Sequence, residues 1–291
     1  MRPDVIINEV LAKCDVLKTA GLWPAEPRLR PRAWLGNFDP DDRPLAACLL
    51  DKFTYYNALF TDRLFVASYQ SLGDGMSKGP RAPGRTLLLQ SIENALFTPV
   101  RGERPNPTDS GYFLCRKARQ LLGIPEEQIV ETAQALAHAY SGGTVIFLDD
   151  FVGSGDQFLS TWQRNTNGHS FQDAMVREGF VGIYVTLITT DFGLNTIHSK
   201  APDVAVCAAH VLDKKSTVFG LNTEYPDIHD LLKKYTPRLN PKEAYIDDGY
   251  RLFGYKTRGL LFGFEHSIPD ATLPIFWAPG TGNWEPLIER K

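Results

Sequence analysis

Two adjacent carboxylates, Asp149 and Asp150, close the apolar run Thr144-Val145-Ile146-Phe147-Leu148. Phe151 and Val152 follow, and then a short polar turn of Gly153, Ser154, Gly155, Asp156 and Gln157. Glycines let backbone N–H groups fold inward, and a helix starting on such a turn adds its positive end. The product is a cradle for an anion, and for a phosphate in particular. Carboxylates beside a phosphate repel it unless something lies between them. Sugar hydroxyls, a metal ion, or both would serve. Acids accepting from the 2′- and 3′-hydroxyls of a ribose whose 5′-phosphate sits in the cradle satisfy every group at once. At a strand end, both acids should be open to solvent.

Competing readings of these residues fail on spacing. A Walker loop needs a lysine that does not follow Gly153. A dinucleotide fingerprint matches Gly153 and Gly155, but Phe158 occupies its third glycine position, and the acid pair has no use in it. The nucleophile elbow would require glycine at Val152. An aspartyl-phosphate phosphatase would place its second acid where Phe151 stands.

The elements around the turn follow from periodicity. Residues 4–19 carry Val5, Ile6, Val10, Leu11 and Leu17 near helical spacing, ahead of Gly21 and Pro24. Pro24 to Pro44, with Arg28, Arg30 and Arg32, reads as an extended arm. The aromatic stretch from Pro44 to Gln70 fits helical spacing better than alternation. A Gly/Pro/basic loop covers 73–85. Helices are predicted at 111–123 and 126–139, a strand at 144–149, and a helix at 156–164. A strand at 180–189, a short helix at 193–199, a strand at 203–212 and a helix at 226–235 complete the series. Near-continuous apolar strands separated by helices imply a parallel α/β sheet buried on both faces, with ligands beyond the carboxyl ends of its strands. The tail from Leu252 is aromatic and proline-rich and leaves this rhythm. The expected division is a helical extension and arm over 1–84, an α/β core over 85–215, and a C-terminal helix and cap over 216–291 of the same globule.

Composition narrows the class. The chain has 291 residues, 43% hydrophobic and 22% charged, which suits a folded protein with a sizeable core and excludes a disordered or fibrous one. A net charge of −3 gives no basic field for nucleic acid. Cys14, Cys48, Cys115 and Cys207 lack CxxC spacing, so neither a zinc ribbon nor a disulfide framework is suggested, and reduced thiols are expected. The N-terminal MRPDVIINEVLAKCD has acids inside its apolar stretch, unlike a signal peptide, and no run approaches the ~18 apolar residues of a membrane span. A cytoplasmic protein is expected.

The apolar strand, acid pair, two apolar residues and small hydroxyl/glycine loop resemble the type I phosphoribosyltransferases. That resemblance implies an open parallel sheet with helices on both faces. It also implies Asp149 and Asp150 on the ribose hydroxyls, with Gly153, Ser154, Gly155 and Asp156 around the 5′-phosphate. Gln157 departs from the usual Thr or Ser, although its amide can still donate to phosphate. A narrower resemblance joins the chain to phosphoribosyltransferase-like proteins of prokaryotic conflict systems, some encoded beside retron reverse transcriptases. It rests on Leu261 to Trp277, with the strand Leu261–Phe264, then Glu265, His266, Pro269, Leu273, Pro274, Ile275 and Trp277. Trp284, Ser110-Gly111 opening a helix with Arg116 and Arg119, and the Trp34 region extend it.

The implied ligand is phosphoribosyl pyrophosphate or a nucleotide, with Mg²⁺, and the implied chemistry is transfer at, or cleavage of, the bond at ribose C1. Its cation-like transition state would be met by positioning the sugar and neutralising a leaving pyrophosphate. Arg101, Arg104 and the loop from Lys78 to Arg85 are the candidates for that second task. Ser110 and Gly111 could set a second helix N-terminus beside a pyrophosphate, or simply cap a helix with Asp109. His266 could close over the sugar or base, or tie down a turn. Asp247-Asp248 repeats the acid pair without a glycine cradle and reads as a solvated turn. His138, His169, His198, His210 and His229 lack metal-ligand spacing. The alternative function is a non-catalytic nucleotide-sensing module that acts through a protein partner, such as a reverse transcriptase or ATPase in anti-phage defence.

Overall fold

The computed structural model describes residues 3–72, 92–102, 110–240 and 247–290. The chain begins with helices α1 (Pro3–Thr19), α2 (Pro31–Leu35) and α3 (Arg43–Asp51), strand β1 (Thr54–Tyr56) and helix α4 (Ala58–Gln70). Then come β2 (Leu96–Pro99), α5 (Ser110–Leu122), α6 (Thr132–Tyr140), β3 (Val145–Val152), α7 (Asp156–Gln163) and α8 (Phe171–Glu178). Strand β4 (Gly182–Thr190), α9 (Asp191–Lys200) and β5 (Ala205–Leu212) follow. Helices α10 (Val218–Glu224), α11 (Ile228–Tyr235) and α12 (Asp248–Phe253), strand β6 (Phe262–Phe264) and helix α13 (Pro274–Trp277) end it.

Two compact units result. One runs from Thr61 to Leu212, and the other joins the described residues through Phe60 to those from Asp213 onward. In the first, a four-stranded sheet in the order β2-β3-β4-β5 is parallel throughout, with β3 inside it. Every residue of β4 is buried, as its unbroken Gly-Ile-Tyr-Val-Thr-Leu-Ile run demands. Phe147 meets Phe158, Trp162 and Phe171 of the α7–α8 layer on one face. On the opposite face, Tyr69 of α4 packs near Phe97 of β2, and the Ser68 hydroxyl donates to the Thr186 carbonyl at 2.6 Å. Helices therefore cover both faces.

Three expectations in this unit need correction. Strand β3 does not stop at Asp149 but continues to Val152, because its pairing with β4 runs on to Thr189. The helix expected over 126–139 starts at Thr132, after a single 3-10 turn at Glu126–Gln128. Helix α8 was not anticipated. Ser170 caps it, accepting from the Asp173 amide at 3.1 Å, and Gly179 closes it in the left-handed region.

The second unit has an aromatic core and a short parallel sheet pairing β1 with β6. Residues 24–44 do not form an extended arm. Trp34 is wholly buried, stacks on Phe276 and donates its indole N–H to the Ile275 carbonyl at 2.8 Å. The aromatic stretch 44–70 is likewise broken by β1, whose partner lies more than 200 residues away in sequence. Cys14, Cys48, Cys115 and Cys207 are buried and unbonded. Among the described residues, no helix is long and apolar enough to cross a membrane.

Candidate functional site

The end of β3 carries the acid pair in an unexpected setting. Asp149 is 1% exposed and Asp150 6%, so neither is open to solvent as a strand-end residue would be. The cause is the length of β3. Both acids lie inside the sheet, three and two residues short of the end of β3. Three donors converge on Asp149: the Ser110 hydroxyl at 2.8 Å, the Tyr184 hydroxyl at 3.1 Å and the Asp150 amide at 3.0 Å. Tyr184 belongs to β4 and is itself buried. Burial, and then the neighbouring Asp150 charge, push the Asp149 carboxyl well above the usual carboxylate range, and these hydrogen bonds only partly offset the rise.

The turn beyond β3 leads directly into α7. Gly155 precedes α7 with φ +85°, a left-handed conformation that glycine adopts at little cost. The buried Ser154 hydroxyl donates to the Asp156 carboxylate at 2.6 Å. Gly153, Asp156 and Gln157 remain partly exposed and form the open rim. The turn is tied from behind by Thr190, whose hydroxyl donates to the Gly153 carbonyl at 2.5 Å and accepts from the Gly193 amide at 2.9 Å. A carboxylate on the first residue of α7 interacts favourably with the helix dipole. Asp156 thus occupies, from within the chain, surroundings that suit an anion.

Ser110 and Gly111, at the start of α5, lie beside the acid pair. Ser110 bonds to Asp149. Gly111 lets α5 settle on the sheet: a Cβ there would lie 2.8 Å from the Val100 carbonyl oxygen and 2.9 Å from that of Leu148. Arg101 is engaged by Glu131, and it donates to the Tyr112 hydroxyl at 2.6 Å. Arg104, Asp109 and the loop from Lys78 to Arg85 lie outside the described residues. His266 belongs to the other unit, stacks on Phe264 with ring centroids 5.0 Å apart, and lines a pocket of about 220 Å³ with Arg28, Glu265 and Ser267. Tyr184 and Thr190 escaped the sequence reading. In the sequence Tyr184 looks like an ordinary strand residue and Thr190 like the cap of a helix.

Among the described residues, no group of three His, Cys, Asp or Glu side chains is placed to hold a metal ion.

Comparison with known proteins supplies the context. The PRTase-CE family model matches residues 31–290. A search of curated proteins gives no match. Among solved structures, the AQ2163 protein from Aquifex aeolicus is similar at 13% identity, with a TM-score of 0.33, over 62% of this chain and 80% of that one. An overlap that loose carries no argument.

Proposed function

Because the chain belongs to the PRTase-CE family, whose domain is of phosphoribosyltransferase type, we propose that it binds a 5′-phosphorylated ribose at the β3–α7 turn. One observation carries this reading. A buried acid pair on a central parallel strand leads into a left-handed glycine at the start of a helix. The cradle takes the phosphate through backbone N–H groups and the Ser154 hydroxyl, which must turn away from Asp156 to do so. A carboxylate of the Asp149–Asp150 pair accepts from the ribose hydroxyls. Phosphoribosyl pyrophosphate or a nucleotide fits this pattern, with Mg²⁺ arriving on its phosphates.

Reaction at ribose C1 would then proceed by positioning and charge neutralisation. The proposed setting is cytoplasmic anti-phage defence, supported by the resemblance of the Leu261–Trp277 segment, with a reverse transcriptase or ATPase as partner. Calorimetric titration of phosphoribosyl pyrophosphate with Mg²⁺ tests binding, and pyrophosphate release tests chemistry. Saturable binding without turnover would favour the sensing module. No binding of any ribose phosphate or nucleotide would refute the assignment.

A further inference from the structure

We propose that Thr190 is a positioning residue for the phosphate. Its hydroxyl turns the Gly153–Ser154 peptide so that the carbonyl faces away from the anion and the Ser154 N–H faces toward it. The inference rests on the ribose-phosphate reading above and concerns what orients a backbone donor of that site. In a planar trans peptide the C=O and N–H point in opposite directions. Whatever holds the Gly153 carbonyl therefore aims the Ser154 amide. The holder is the Thr190 hydroxyl, which donates to that carbonyl at 2.5 Å.

A second bond fixes the direction of the first. Thr190 caps α9, and its oxygen accepts from the Gly193 amide at 2.9 Å, which leaves its own proton for Gly153. The approach is this close because Gly193 has no side chain. A Cβ there would lie 2.8 Å from the Gly153 carbonyl oxygen and 2.9 Å from Val152 Cγ1. Ile197 and the Gly193 carbonyl stand equally close behind Gly155, so α9 fills the space on that side of the turn. The Ser154 amide is thus aimed away from α9, and among the described residues no backbone carbonyl accepts from it. Without Thr190 the peptide could flip and present its carbonyl, the negative end of its dipole, to the phosphate.

The test titrates ribose 5-phosphate and inorganic phosphate into wild type, Thr190→Val, Thr190→Ser and Ser170→Ala by calorimetry, with circular dichroism to confirm folding. Valine matches threonine in shape but cannot donate, so both probes should bind about 10- to 100-fold more weakly, the worth of one hydrogen bond to a charged group. Serine keeps the hydroxyl, and its affinity should stay within about threefold of wild type. Ser170→Ala removes the cap of α8 instead of α9, at a similar cost in stability, and should leave binding unchanged. That control separates positioning from stability. If folded Thr190→Val binds as tightly as wild type, or Ser170→Ala weakens binding as much, the proposal fails while the site stands. Should Thr190→Val not fold, the Ser154 amide resonance of the wild type decides. Saturating inorganic phosphate should move it downfield, and an unmoved resonance in a protein that binds phosphate overturns the assignment. If the wild-type protein binds neither probe, the functional reading falls, and this inference with it.

Discussion

The dipeptide Asp-Asp at 149–150 and the same dipeptide at 247–248 meet opposite fates. At 149–150 it sits in a central strand, buried, with its first carboxyl enclosed by α5 and β4. At 247–248 it is exposed and starts α12, where Asp247 caps the helix by accepting from the Tyr250 amide at 2.7 Å. The residues themselves are identical. What differs is the chain before and after: four apolar β-formers and a glycine turn around the first pair, and a helix start around the second. A carboxylate becomes a site when a sheet has to accommodate it, and becomes a cap when the solvent does.

That contrast is easiest to break at Asp149. Replacing it with Leu leaves the Ser110 and Tyr184 hydroxyls and the Asp150 amide without their acceptor, at roughly 1–3 kcal/mol for each buried group left unsatisfied. Denaturant unfolding should therefore show a loss of several kcal/mol. Asp247→Leu should cost only about 1 kcal/mol, the ordinary worth of a helix cap.

The pH dependence of stability sharpens the contrast further. Because the folded Asp149 carboxyl holds its proton more tightly than the unfolded chain does, the folded state binds more protons as pH rises past the ordinary carboxylate value of about 3.9. Stability from this group is thus complete in acid and declines as pH rises. The difference in melting temperature between Asp149→Asn and wild type should shift in favour of the variant from pH 4 upward. The same exchange at Asp247 should leave stability nearly unchanged, since Asn caps a helix as well as Asp does. Asp39 and Asp42, held below the usual range chiefly by hydrogen bonds from Lys234, act in the opposite direction in both proteins and cancel in the difference.

Asp156 should give the smallest effect, and one of reversed sign. Its carboxylate holds the Ser154 hydroxyl and shares the start of α7 with any incoming phosphate. Asp156→Asn removes that rival charge and should tighten ribose 5-phosphate binding severalfold while weakening the helix by about 0.3–1 kcal/mol. Equal or weaker binding by titration would show that Asp156 supports the ligand and does not compete with it.

Much of this was legible in the sequence. Continuous apolar runs reveal the parallel strands β3 and β4, because strands buried on both faces carry little else, whereas β5 carries such a run at the partly exposed edge of the sheet. The acids and glycines that follow 148 reveal the turn. What stayed hidden depends on distant partners. The short strand β1 exists only because Phe262–Phe264 pairs with it. Trp34 looks like part of a solvated arm until Ile275 and Phe276 receive it. The burial of Asp149 likewise depends on how far β4 runs alongside β3, and on a tyrosine that aligns with Phe147 across the sheet. Helix α8 could have been found, for Ser170, Asp173 and Gly179 stand at its cap and exit positions.

The central claim is that the turn at 153–157 is a phosphate cradle, and Gly155 tests it most directly. A Cβ at this position would lie 3.1 Å from Ile197 Cγ1 and 3.2 Å from the Gly193 carbonyl oxygen, at a φ of +85° that side chains rarely adopt. Gly155→Val should therefore push the turn away from α9 and distort the cradle, at roughly 1–3 kcal/mol of backbone strain, with the side chains of Asp149 and Asp150 unchanged. The measurement is calorimetric titration of ribose 5-phosphate into wild type and Gly155→Val, with circular dichroism confirming that both are folded. Loss of binding in a folded variant is the predicted result. A folded Gly155→Val protein that binds as tightly as wild type would show that the turn only connects a strand to a helix, and that the phosphate is held elsewhere.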